Sequence, residues 1–128
     1  MNTVDHSLLT MYCREISQYK TLSSAEECQI IQQICKGDMQ SREKLIQSYL
    51  RLVVSIAQHP KFSRQEDIMD LIQEGNIGLI HAVDSYIPES NRSFVGYAAI
   101  CIRNRLIHFV QKRREVLVLD TPVFEDSD

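Results

Sequence analysis

The sequence predicts an all-α protein, a compact bundle of about five helices. Three observations carry that expectation. Apolar residues recur at steps of three and four, most plainly at Leu45, Ile46, Tyr49, Leu52, Val53 and Ile56. Helix-opening residues stand ahead of the periodic runs: Ser23 with Glu26, Asp38, and Ser63 with Glu66. Only VLVLDTPVF, at 116–124, is rich in strand-forming residues, and nothing local is available to pair with it. At 128 residues the chain is one domain in size and long enough for a core.

Each element follows from its residues. The first helix is expected over 4–19, with Leu8, Leu9, Tyr12 and Ile16 along one side. The second opens on a capping box at Ser23 and Glu26 and ends near Gly37. Asp38 caps the third, which carries the apolar run from Leu45 to Ile56, and Pro60 lies just past its end. Ser63 and Glu66 make a further capping box for the fourth. That helix must stop before Pro88, because the residue preceding a proline is pushed out of helical geometry. A turn over 88–93 leads into the fifth helix, 94–114. Residues from 115 onward read as an extended linker with an acidic, disordered tail at 125–128. The third, fourth and fifth helices are expected to pack together, with the first two against them.

The fourth helix carries the most informative residues, DLIQEGNIGL at 70–79. A glycine inside a helix costs about 1 kcal/mol against alanine. Gly75 and Gly78 within one turn therefore point to something that approaches the backbone closely. Asp70, Gln73, Asn76 and Ile80 step by helical intervals, with Glu74 one turn beyond Asp70, so these five are expected to share a face. Met69, Ile72, Leu79 and Val83 form the apolar side. Such a helix has one side for its own core and one for a partner. Ordinary packing accounts for Leu71, Ile72, Ile77 and Leu79; it leaves Gln73, Asn76 and the two glycines unexplained.

The net charge of −3 hides an asymmetry. Residues 65–90 hold Glu66, Asp67, Asp70, Glu74, Asp84 and Glu89 and no Lys or Arg. Residues 91–114 hold Arg92, Arg103, Arg105, Lys112, Arg113 and Arg114 and no acid. A charge run is commonly a solvated helix face. Here the split points to an acidic face for protein and a basic face for nucleic acid, lying on different sides of the bundle. Arg103, His108 and Lys112 are expected to share a broad face that binds phosphates, with solvated charge as the rival reading.

Other classes find little support. Cys13, Cys28, Cys35 and Cys101 form no C-x-x-C pair and sit at apolar-periodic positions, so each reads as a small core residue and no metal is expected. There is no G-x-S-x-G, no P-loop and no local Cys–His pairing; the chain reads as a non-enzyme without a cofactor. LVVSIA is too short to span a bilayer, and no membrane partner is expected. A reducing cytoplasm fits.

The strings RLVVSIA (51–57) and DLIQEGNIGL (70–79) resemble region 2 of bacterial sigma factors of the sigma-70 family. Residues 8–50 resemble the segment preceding region 2 in primary sigma factors. The resemblance implies three parts: a region 1.2-like segment at 1–37, a region 2-like domain at 38–114 that binds core polymerase and the −10 element, and a linker with an acidic tail at 115–128. It implies that Asp70, Gln73, Glu74, Asn76 and Ile80 dock on the clamp helices of the largest subunit of core RNA polymerase. It implies that Tyr86, Tyr97, Arg103, Asn104, Arg105, His108, Lys112 and Arg113 meet promoter DNA, duplex and single-stranded, with Tyr97 stacking on a flipped base. The chain departs from the family where a tryptophan pair is replaced by Ile100 and Cys101, a glutamine by Asn104 and a threonine by Ile107. Further helical domains of the family, including the one that reads the −35 element, have no counterpart here, and a second polypeptide is one possible source of them. Three readings stay open: a sigma factor, whole or split; a polymerase-binding regulator that does not melt DNA; and a general DNA-binding helical module.

Overall fold

The structure, a computed structural model, describes residues 3–120, with side chains described over 7–117. Within them the chain is helical throughout: α1 Thr3–Ile16, α2 Ser24–Cys35, α3 Met39–Ser48, α4 Leu50–Ala57, α5 Pro60–Ser63, α6 Ile68–Ser85 and α7 Phe94–Asp120. The all-α expectation holds. The count is higher than the sequence pattern implied because the third helix breaks at Tyr49 (φ −112°, ψ 6°) and because Pro60 opens a single extra turn. Proline suits that first position, where its missing N–H has no helical partner.

Three end signals behave as read. Ser23 and Glu26 form the reciprocal capping box of α2. Gly37 takes φ +92° at the end of α2, a conformation glycine adopts without strain. Asp38 accepts from the Gln40 N–H to cap α3. The box at Ser63 and Glu66 is a correction. The Ser63 hydroxyl donates to the Gln58 carbonyl instead, and Asp67 accepts from the Met69 N–H to open α6. Residues 58–66 are taken up by α5 and the turns on either side of it, so the first unbonded N–H groups of the long helix lie four residues later than the sequence pattern implied.

A second correction concerns the chain beyond 114. Residues 116–120 continue α7 rather than running extended. Extending an existing helix gains one hydrogen bond per residue fixed, and that outweighs the modest strand preference of Val and Leu. The acidic tail at 125–128 lies outside the described residues.

The core is built around an antiparallel pair. Glu66 meets Arg113, Glu74 meets Arg105 and Ser85 meets Tyr97, so α7 runs back along α6. From α6 come Leu71, Ile72, Leu79, Ala82 and Val83; from α7 come Phe94, Ala98, Ile102, Leu106 and Val110 at steps of four. Val53, Val54 and Ala57 of α4 close the third side. The two glycines are explained here. A Cβ on Gly75 would stand 2.7 Å from Val53 Cγ1, and one on Gly78 would stand 2.9 Å from the Cys101 carbonyl oxygen. The element that approaches their backbone is the protein's own α4 and α7, not a partner.

α1 lies on α6 and α4, and α2 packs on α3. Arg51 ties the α1–α2 link to α4 through the Thr21 hydroxyl (2.9 Å) and the Ser17 and Tyr19 carbonyls (2.9 and 2.8 Å). No residue of α2 is fully buried, and Cys28 and Cys35 are exposed, which corrects their reading as core residues; Cys13 and Cys101 are half-buried. α2 meets the bundle along one side only, so its apolar period overstates its burial.

Candidate functional site

The outer side of α6 is set by geometry. With one side buried on α4 and α7, the helix turns Gln73, Ile77, Ile80 and His81 outward, with Asp70 half-exposed beside them. The five residues expected to share a face divide. Gln73 and Ile80 are on it, and Asp70 is at its edge. Glu74 turns toward α7, where its carboxylate accepts from Arg105 Nε at 2.9 Å. Asn76 turns toward α1, where its amide donates to the Tyr12 hydroxyl at 3.2 Å and its buried oxygen has no hydrogen-bond partner. Steps of three and four drift around a helix, and over a full turn the drift carried these two onto the flanks.

Ile77 is the residue the sequence pattern missed. It reads as packing but is 43 % exposed, and with Ile80 at 38 % it gives the face an apolar centre. Its spacing of four from Gln73 and of three from Ile80 held the signal.

The acidic and basic runs do not lie on opposite sides. Antiparallel packing sets them against each other, so that Glu74 pairs with Arg105 and Glu66 with Arg113 (3.5 Å) along the seam. Asp84 reaches the other way, to Arg42 of α3 (2.7 Å), and the guanidinium holds its carboxyl below the usual range.

On α7 the expected nucleic-acid residues also separate. Arg105, His108, Lys112 and Arg113 line one groove with Glu74, Phe109 and Val116. Arg103 is not with them. A five-residue step turns a helix by about 140°, and Arg103 lines a different cavity with His59, Lys61 and Phe62. Asn104 is exposed.

At the α6–α7 turn, aromatic rings collect. Tyr97 is half-buried, its hydroxyl 2.7 Å from Ser85 Oγ and its ring 5.8 Å from that of Tyr86. Arg92, which sequence reading placed only in the charge run, sits over the Tyr97 ring at 5.9 Å. Tyr86 bonds the Arg92 carbonyl (2.7 Å) and meets Phe94 edge-on, as does Tyr49. Burial and the bond to Glu27 push the Tyr49 hydroxyl up, so it stays a neutral donor. Ile100 is exposed, whereas Cys101 is half-buried with its carbonyl against Gly78.

Among the described residues no group of His, Cys, Asp and Glu could hold a metal ion, and no helix is long and apolar enough to cross a membrane.

Comparison with known proteins fits this arrangement. Residues 45–116, which contain α4 to α6 and most of α7, match the family described as Sigma-70 region 2. The RNA polymerase sigma factor RpoS of Coxiella burnetii is 34 % identical over 116 residues, covering 91 % of this chain and 33 % of that protein. The RNA polymerase sigma factor SigA of Clostridium acetobutylicum is 36 % identical over 115 residues, covering 90 % of this chain and 30 % of that protein. The chain thus spans about a third of the length of these curated relatives. From the family match over residues 45–116 and the identity over about nine-tenths of its length, the chain belongs to the sigma-70 family and carries its region 2.

Proposed function

We propose that the chain acts in transcription initiation, holding core RNA polymerase through the outer face of α6 and promoter DNA through α7. The observation that carries this reading is the form of α6 within a sigma-70 region 2. Gln73, Ile77 and Ile80 stand open to solvent on a helix whose opposite side is locked to α4 and α7 by Gly75 and Gly78. An apolar centre rimmed by polar groups suits a helical partner, here the clamp helices of the largest polymerase subunit. Glu74 joins that contact only by giving up Arg105, and Asn76 only by leaving Tyr12.

On the DNA side His108 and Lys112 supply phosphate contacts, and Asn104 offers an amide to a base edge. Tyr97, with Tyr86 beside it and Arg92 above, offers a platform to an unstacked base, an interaction worth about 1–3 kcal/mol. The site of action is the compartment that holds the polymerase, the cytoplasm of a bacterial cell.

A second reading is favoured by Ile100. It stands on the open side of α7 where the family places an aromatic ring, and an aliphatic side chain has no π-face on which a base can stack. The chain would then bind polymerase and leave strand opening to another element.

Capture of purified core RNA polymerase, followed by permanganate footprinting on promoter DNA, tests both. Capture with reactive unpaired thymines supports initiation. Capture without them supports the second reading, and no capture removes both.

A further inference from the structure

Glu26, Ile30 and Gln33 step by four and three along α2, and Lys44 and Gln47 by three along α3, so each set forms one strip of its helix. α2 packs on α3, and the two strips meet the α1–α2 link around a cleft of about 380 Å³. We propose that this cleft is a binding site for a small aromatic carboxylate. It shares no lining residue with α6 or α7, so its filling does not depend on the polymerase and promoter contacts proposed above.

The walls fix the body of the ligand. Tyr19 and Leu22 of the link and Ile30 of α2 line the cleft, and all three are half-buried and packed against the core. They are therefore held in place, and they offer an aromatic ring and two branched side chains to an apolar group. The volume lies at the small end of the range for small-molecule sites, which suits one ring with a short arm.

Charge fixes the other end. Lys20 is bound to Glu26 at 2.9 Å, and Glu26 also accepts from the Ser23 N–H, so that pair is closed. The same capping box occupies the start of α2, leaving no open helix N-terminus for an outside anion. Lys44 makes no ion pair. Asp38, the acid it acts on, is held low first by the Ser41 hydroxyl and last by Lys44. One uncommitted positive charge therefore remains on the lining, which matches a carboxylate and falls short of a doubly charged phosphate monoester.

The neutral donors fit the same group. The Gln29 and Gln47 amides line the cleft without a partner of their own among the described residues, and each can donate to a carboxylate oxygen. Gln33 is anchored between the helices, its Oε1 accepting from the buried Ser41 hydroxyl of α3 at 2.6 Å. A carboxylate seated on Lys44 with its ring against Tyr19 touches the link, α2 and α3 together. α2 has no fully buried residue, so occupancy ties a loosely held helix to the bundle.

The test is a nuclear magnetic resonance titration of the whole chain, without polymerase, with 3-phenylpropionate as probe. Its neutral amide, 3-phenylpropanamide, and inorganic phosphate are titrated separately. The carboxylate is expected to give saturable shifts at the Gln29 and Gln47 side-chain amides and the Leu22 and Ile30 methyls. A dissociation constant on the order of 1 mM is expected for a probe of this size. The amide should bind several-fold more weakly. Lys44→Met, which keeps the aliphatic stem and removes the charge, should weaken the carboxylate several-fold and leave the amide unchanged. Lys44 is exposed, so this variant should melt at the wild-type temperature. Bound carboxylate should also slow amide exchange in residues 17–23 and in α2. Absence of saturable shifts at the cleft, equal binding of carboxylate and amide, or an unaffected Lys44→Met variant would each overturn the site. Phosphate that binds the cleft as tightly as the carboxylate would overturn the ligand class.

Discussion

Gly78→Ala separates two explanations of the glycines in α6. In a helix interior, alanine gains about 1 kcal/mol over glycine through backbone entropy. Against this, the new methyl carbon meets the Cys101 carbonyl oxygen at 2.9 Å, Ile102 Cα at 3.0 Å and Arg105 Cβ at 3.1 Å, all closer than ordinary van der Waals contact. Two of the three are backbone atoms of α7, so no side-chain rotation relieves them. α7 must move off α6 by several tenths of an ångström along the largest helix contact in the bundle. Overpacking a fitted interface costs about 1–3 kcal/mol, so the two terms leave a net loss of about 1 kcal/mol, with about 2 as the upper end. For a domain of this size that lowers the melting temperature by roughly 4–12 °C, read by circular dichroism at 222 nm, the α-helical band. A variant that melts at or above the wild-type temperature while losing polymerase affinity would rule out close packing against α7 as the role of Gly78. It would mean that α7 stands further off and that the glycine serves a partner.

Three further outcomes follow from the same contacts. Asp67→Ala should cost about 1 kcal/mol in urea unfolding through loss of the α6 cap, whereas Ser63→Ala, away from that helix start, should cost clearly less. The Glu26 carboxyl, held down to about 2 by the Lys20 ammonium first and the Ser23 N–H second, should titrate there by carbon-detected resonance, and Lys20→Ala should raise its midpoint. Its folded value is depressed, so its contribution to stability is full above its ordinary value of 4.5 and fades as the pH falls toward about 2. Arg51→Ala should release the link between α1 and α2, seen as faster amide exchange in residues 17–23 with little change in α6 and α7.

Much of this was legible in the chain. The apolar period found the helices, and Ser23, Gly37 and Asp38 marked three of their ends because caps act within a few residues. The block at 70–79 identified the family and the helix that matters. What stayed hidden was tertiary. Gly75 and Gly78 require a neighbour at close range, and no local pattern says whether that neighbour is α7 or another protein. Asn76 and Glu74 share a helix with Gln73, but their partners Tyr12 and Arg105 lie far along the chain. The acidic and basic runs were correctly seen, yet only the antiparallel pairing of α6 with α7 shows that each neutralises part of the other. The separation of Arg103 from His108 follows from helical geometry alone, since a five-residue step turns a helix by about 140°.

In the function proposed above, the outer face of α6 binds core RNA polymerase through Ile77 and Ile80. The most direct measurement is the dissociation constant of this chain from core polymerase for Ile77→Glu, Ile80→Glu and, as a surface control on α7, Ile100→Glu. All three side chains are solvent-exposed, so the fold should tolerate the charge. Loss of a central apolar anchor costs about 2 kcal/mol or more, roughly thirtyfold in affinity. That loss is expected for Ile77→Glu and Ile80→Glu, with near wild-type binding for Ile100→Glu. Unchanged affinity in the two α6 variants would contradict that function of the face.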